Sequence, residues 1–125
     1  MNKGYYIDTD NQIVYLENRK KTFLWENNIK EMYLPNRTES FFCTNSSITK
    51  LVLSKRIKNI CCNRNKITEI DIPNGVKSIK CMHNNIIEKL KLPDSIEIVF
   101  CDIDAIEDLY KYINNNNISF RLYTK

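Results

Sequence analysis

The sequence predicts an α/β solenoid, mostly β: a coil of five to six turns with parallel strands, an N-terminal β-hairpin cap and a short C-terminal helix. Three observations predict it. Four cysteines, Cys43, Cys62, Cys81 and Cys101, recur at steps of 19, 19 and 20 residues with similar neighbours: "TESFFCTNSSI", "IKNICCNRNKI", "VKSIKCMHNNI" and "IEIVFCDIDAI". A second phrase recurs between them, as "IKEMYLPN", "ITKLVLSK", "ITEIDIPN" and "IEKLKLPD". Within each cysteine phrase apolar residues alternate, the period of a strand with one buried face. Self-similarity at this period is the mark of stacked, quasi-one-dimensional units.

The elements follow in chain order. Residues 1–19 form the cap: the apolar runs Tyr5 to Ile7 and Ile13 to Leu16 flank the turn-forming Asp8, Thr9, Asp10 and Asn11, a hairpin pattern. It covers the first turn, which has no neighbour of its own. Residues 20–104 are the repeats, beginning with a weaker unit, "KKTFLWENNIK", in which Phe23 and Trp25 take the places of Ile60 and Cys62. The step of 20 comes from the Ile86, Ile87 doublet, between rungs. Residues 105–125 close the coil. Asp104 followed by Glu107 reads as a capping box, and Ile106, Leu109, Tyr110 and Ile113 as one helical face, so a helix is predicted over 105–113. The run of four Asn from Asn114 is a loop, and "ISFRLYT" from Ile118 is a last strand.

These phrases resemble the leucine-rich repeat, L-x-x-L-x-L-x-x-N-x-L followed by a variable return. "IKNICCNRNKI" and "VKSIKCMHNNI" match every fixed place when Ile, Val and Cys stand for Leu, with Asn65 and Asn84 at the Asn position; Ser46 and Asp104 depart from it. The short return looks like the bacterial class, a residue shorter per turn, and the Ile/Asn/Lys-rich style resembles leucine-rich proteins of giant viruses of amoebae. The resemblance covers roughly residues 20 to 109. It implies a coil whose strand face engages a partner, and, if the protein is viral, a partner in the host cytoplasm.

Composition narrows the function classes. The chain has 125 residues, 42% hydrophobic, with a net charge of +4, which fits one folded domain. Asn, Ile and Lys number 17, 18 and 14, a bias that reports an AT-rich genome more than an activity. No run approaches the roughly 18 apolar residues of a membrane span, and the first residues lack the apolar core of a secretory signal. The expectation is a cytoplasmic protein, and five cysteines, an odd number, fit free thiols there.

Stacking assigns each column a role. Phe41 with Cys43, Ile60 with Cys62, Ile79 with Cys81 and Val99 with Cys101 point inward, where cysteine acts as a small buried hydrophobe. Four sulfurs on rungs about 4.8 Å apart span about 14 Å, whereas tetrahedral zinc needs its four sulfurs within about 4 Å of one another. Disulfides between adjacent rungs satisfy the Cα spacing, but side chains pointing the same way oppose the near-90° torsion. A thiol or metal role for the column is thus the weaker alternative. Asn65 and Asn84 are expected to bond the turn backbone of their own and adjacent rungs, with Ser46 and Asp104 doing less.

The outward face is where a partner would dock. Position five gives Leu24, Phe42, Cys61, Lys80 and Phe100, flanked at position eight by Asn45, Arg64, His83 and Ile103. Aromatic anchors beside an Arg have the composition of binding hot spots. Lys58, Arg64, Lys77 and Lys80 make the centre basic, and Glu39, Glu97 and Asp102 make the flanks acidic, which favours an acidic protein segment. Nucleic acid on the basic rungs is the other alternative, opposed by those flanks and the modest net charge. Cys61 and His83, the one histidine, invite a thiol mechanism, but three residues of strand separate their positions by about 10 Å, against the ~3 Å that proton transfer requires. No Gly-rich phosphate loop appears, no cofactor is implied, and the expected function is non-enzymatic protein binding.

Overall fold

The computed structural model describes residues 4–124. Its strands are β1 (Tyr5–Asp8), β2 (Ile13–Tyr15), β3 (Lys21–Phe23), β4 (Ile29–Tyr33), β5 (Ser40–Phe42), β6 (Lys50–Val52), β7 (Asn59–Cys61), β8 (Ser78–Lys80), β9 (Ile98–Asp102) and β10 (Ser119–Tyr123). A 3-10 turn, Ile103–Ala105, and one short helix, α1 (Leu109–Tyr112), lie between the last two.

The long sheet is a ladder of six parallel strands, ordered β10, β9, β8, β7, β5, β3. Each rung is one turn of a β-solenoid of about five turns, in register as Phe41 with Ile60, Ile60 with Ile79, and Ile79 with Val99. Cys43, Cys62, Cys81 and Cys101 form one buried file. Beside it Phe41, Ile60, Ile79 and Val99 make a second. Ile57, Val76 and Ile96, with Ile48 and Ile67, close the core toward the return side. Fully burying such side chains contributes about 1.5–3 kcal/mol each.

The return side is not uniform. In the first two turns the "IKEMYLPN" and "ITKLVLSK" phrases become β4 and β6, paired in parallel. The hairpin β1–β2 joins them, with β1 antiparallel to β4, so the cap extends the return sheet and not the long ladder. Tyr5 stacks on Tyr33 across that joint at 4.5 Å. After β6 this sheet stops, and one parallel bridge, Leu90 to Ile106, is all that ties the later returns by strand pairing among the described residues.

Two expectations are corrected here. The first unit is shifted by one residue: Thr22 pairs with Phe41 and Phe23 with Phe42. Thr22 therefore takes the inner place and Leu24 begins the cysteine file, half-buried against the core. The sequence favoured the larger apolar side chains for the interior, but the buried Thr22 hydroxyl is satisfied by the Thr38 hydroxyl at 2.8 Å, which removes the penalty of an orphaned polar group. The helix over 105–113 is also cut down, to Leu109–Tyr112, and the Asp104 capping box does not form. Leu90 donates to the Ala105 carbonyl and Glu107 to the Leu90 carbonyl. That backbone is thereby committed to an extended bridge, with Ala105 and Ile106 buried. The first three residues of the predicted cap lie outside the described residues.

Candidate functional site

The Asn column builds the rim that holds the outward face in place. The Asn65 amide donates to the carbonyls of Cys43 (2.9 Å) and Cys62 (3.1 Å), and its oxygen accepts from Ile48 N–H (3.1 Å). Asn84 repeats this one rung on, with Cys62 (2.9 Å), Cys81 (3.1 Å) and Ile67 N–H (3.0 Å). Ser46 accepts the Ile29 N–H at 2.9 Å and bonds the Cys43 side chain, while Asp104 is exposed on the 3-10 turn. A second polar ladder had no clear signal in the sequence. Asn63 accepts from Met82 N–H at 2.8 Å, and the buried Asp102 carboxylate accepts from His83 N–H at 3.2 Å.

At position eight Asn45, Arg64 and His83 all adopt left-handed backbone, with φ between 56° and 58°. Asn accommodates this readily; Arg and His do so at a cost. The side chains of all three are exposed. His83 meets the ring of Tyr123 edge-on at 5.3 Å. Ile103 is exposed on the 3-10 turn.

Position five, corrected for the shift, reads Phe23, Phe42, Cys61, Lys80, Phe100 and, from β10, Arg121. At one end Phe23, Phe42 and Trp25 meet at centroid distances of 5.6–6.4 Å, although Phe23 is 44% and Trp25 74% exposed. Such clustering leaves a large apolar surface in water. At the other end Lys80 Nζ sits 5.0 Å from the Phe100 ring centroid and the Arg121 guanidinium 5.3 Å from it. A groove of about 580 Å³ runs from Phe23 and Trp25 past Phe42, Cys61 and Ser78 to Lys80.

Charge is redistributed relative to the sequence reading. Lys58 pairs with Glu39 at 3.4 Å and Lys77 with Glu97 at 3.3 Å. The basic centre thus contracts to Arg64 and Lys80, joined by Arg121. Arg121 and Trp25 were missed; the alternation of Phe120 and Leu122 around Arg121 matches the inner places of a rung and was the available signal.

Three of the five thiols, Cys43, Cys61 and Cys62, are set up as poorly reactive. Burial pushes the Cys61 thiol up despite the nearby Lys80, raises Cys43 to about 11 and holds Cys62 well above the usual thiol range. Thiolate is the reactive form, so these cysteines are poorly nucleophilic at neutral pH. Among the described residues no group of three or more His, Cys, Asp or Glu is placed to hold a metal ion, and no helix is long and apolar enough to cross a membrane. Comparison with family models, curated proteins and solved structures found no match.

Proposed function

We propose that this chain is a non-enzymatic protein-binding module of leucine-rich-repeat style, acting in the cytoplasm, the host's if the protein is viral, and docking an extended acidic segment along its outward strand row. One observation carries the reading: a solvent-facing aromatic cluster and a cationic cluster share one row of one rigid ladder, joined by a groove. The aromatic end supplies apolar anchoring area and the Lys80–Arg121 end supplies charge complementarity. Pairing of Lys58 and Lys77 with carboxylates weighs against a phosphate-tracking surface. The raised thiols weigh against nucleophilic chemistry.

The spacing specifies the partner. Phe42 and Lys80 are two rungs apart, about 10 Å, and Phe42 and Arg121 four rungs, about 19 Å. An extended segment crossing the rungs at about 3.3 Å per residue places acidic residues about three and six positions from an apolar anchor. Random displayed peptides selected on the protein should enrich that pattern, and Phe42→Ala with Lys80→Glu should abolish enrichment without unfolding the chain. Trp25 is the one tryptophan and lines the groove, so its emission should shift to the blue when a selected peptide binds. Equal enrichment on the double variant, or no acidic bias, rejects the proposed face.

A further inference from the structure

Two thiols of the buried file stand apart. The Cys81 and Cys101 sulfurs are 2.7 Å apart, too close for ordinary non-bonded contact and within about 0.7 Å of the roughly 2.05 Å of a disulfide bond. Their rungs are adjacent in register, since Lys80 pairs with Phe100, and Cα atoms of neighbouring rungs at about 4.8 Å fall inside the roughly 4.4–6.8 Å that a disulfide spans. This differs from the expectation that parallel side chains hold such sulfurs apart.

The backbone beside the pair is fixed from both neighbours. Met82 N–H is held by Asn63 of the preceding rung and His83 N–H by the Asp102 carboxylate of the following one. The Cys81 amide donates to the Phe100 carbonyl at 2.8 Å. The sulfurs are thus juxtaposed between backbone segments anchored on both sides.

We propose that Cys81 and Cys101 are a reversible redox pair, forming a disulfide staple across the return between β8 and β9 when the protein meets hydrogen peroxide. One thiolate attacks the peroxide oxygen, breaking the O–O bond, to give a sulfenic acid and, once the leaving hydroxide is protonated, water. The second thiolate then attacks the sulfenic sulfur, forms the S–S bond and expels hydroxide, which takes up the remaining proton as a second water. Two thiols are oxidised by two electrons and one peroxide is reduced. Both side chains are buried and β10 pairs over the Cys101 rung, so the oxidant enters through transient opening of β10. The hydrogen bond to Cys101 and burial hold the Cys81 thiol well above its usual range, so staple formation should accelerate with rising pH.

The test uses the full chain carrying Cys61→Ser, which removes the half-buried cysteine outside the file. Four cysteines then remain of the five. After hydrogen peroxide treatment and denaturation, maleimide labelling should fall from four sites to two. Trypsin should release residues 81–89 joined to residues 92–111, and a dithiol reductant should restore all four sites. Hydrogen exchange across residues 82–100 should slow in the oxidised protein. Four labelled sites after peroxide, sulfinic acid at Cys81 or Cys101 without a crosslink, or a crosslink between other cysteines would each overturn the proposal. Because the linkage is mapped in a chain retaining both cysteines, the outcome does not depend on whether their replacements fold.

Discussion

Replacing Asn84 with alanine probes the mechanism that holds the turns together. The side chain is 2% exposed and reaches four backbone groups: the carbonyls of Cys62, Cys81 and Met82 and the amide of Ile67; the Met82 carbonyl also accepts from Arg64 N–H at 2.8 Å. The Cys62 carbonyl keeps a second donor, Asn65, at 3.1 Å. The substitution therefore withdraws partners from two buried groups, Cys81 C=O and Ile67 N–H. At about 1–3 kcal/mol for each buried group deprived of its partner, the loss comes to about 3 kcal/mol. With an m-value of roughly 2 kcal/mol/M in urea, the unfolding midpoint should drop by roughly 1.5 M. Asn65→Ala should match it, since it withdraws partners from Cys43 C=O and Ile48 N–H. Ser46→Ala should cost about 1 kcal/mol and Asp104→Ala, at an exposed position, close to nothing. An Asn84→Ala midpoint within about 0.3 M of the parent, or equal losses at all four positions, would refute the argument that this ladder is a principal tie between turns.

Three further outcomes are expected. Gly4 has φ +75°, and a Cβ there would lie 2.5 Å from Pro35 N and 2.6 Å from the Tyr33 carbonyl oxygen. Gly4→Ala should therefore cost roughly 2–4 kcal/mol by thermal or urea unfolding, while Gly75→Ala, which meets nothing within 4 Å, should cost only about 1 kcal/mol for its positive φ. Arg64→Asn relieves left-handed backbone at an exposed site and should raise stability by about 0.5–1 kcal/mol. Stability should also fall in alkali. Folding raises Cys43 from 9.0 to about 11 and pushes Cys62 and Cys81 up as well, so the folded state holds these protons more tightly. The contribution is complete below about pH 9 and is lost as pH rises through the folded values, with Cys43 alone worth about 2–3 kcal/mol. Urea midpoints at pH 7.5, 9 and 10.5 check this; a flat profile would contradict it.

Residue types reveal much of the fold because burial and backbone satisfaction select them strongly. The cysteine file, the Asn65 and Asn84 ladder and the terminal strand β10 were legible for that reason: each depends on a side chain whose size or hydrogen-bonding capacity has few substitutes. The first rung was misread because hydrophobicity favours Phe23 over Thr22 for the interior, and no local pattern discloses that Thr38 sits within reach of the Thr22 hydroxyl. The capping box at Asp104 was locally sound, but pairing of Ile106 with Leu90 overrode it, a long-range tie that helix propensity does not contain. The candidate site was legible in its middle, at Phe42, Cys61, Lys80 and Phe100, and not at its ends. Arg121 joins the row only because β10 returns to the ladder after an irregular stretch, and the left-handed turns at Arg64 and His83 carry no residue-type signal.

The return sheet ends at β6, and this has a consequence for how such a coil can change. Where both sides of a turn are laddered, an added residue slips a register and turns side chains from core to solvent. Beyond the second turn the return side is tied by single backbone hydrogen bonds and the Leu90 to Ile106 bridge and not by a continuous strand register among the described residues, and the extra residue at the Ile86, Ile87 doublet is absorbed while Lys80 and Phe100 remain opposite one another. Length can vary along the back of the later turns and leave the front row in step. The looser back of the later turns takes up the irregularity, and the front strands keep their geometry.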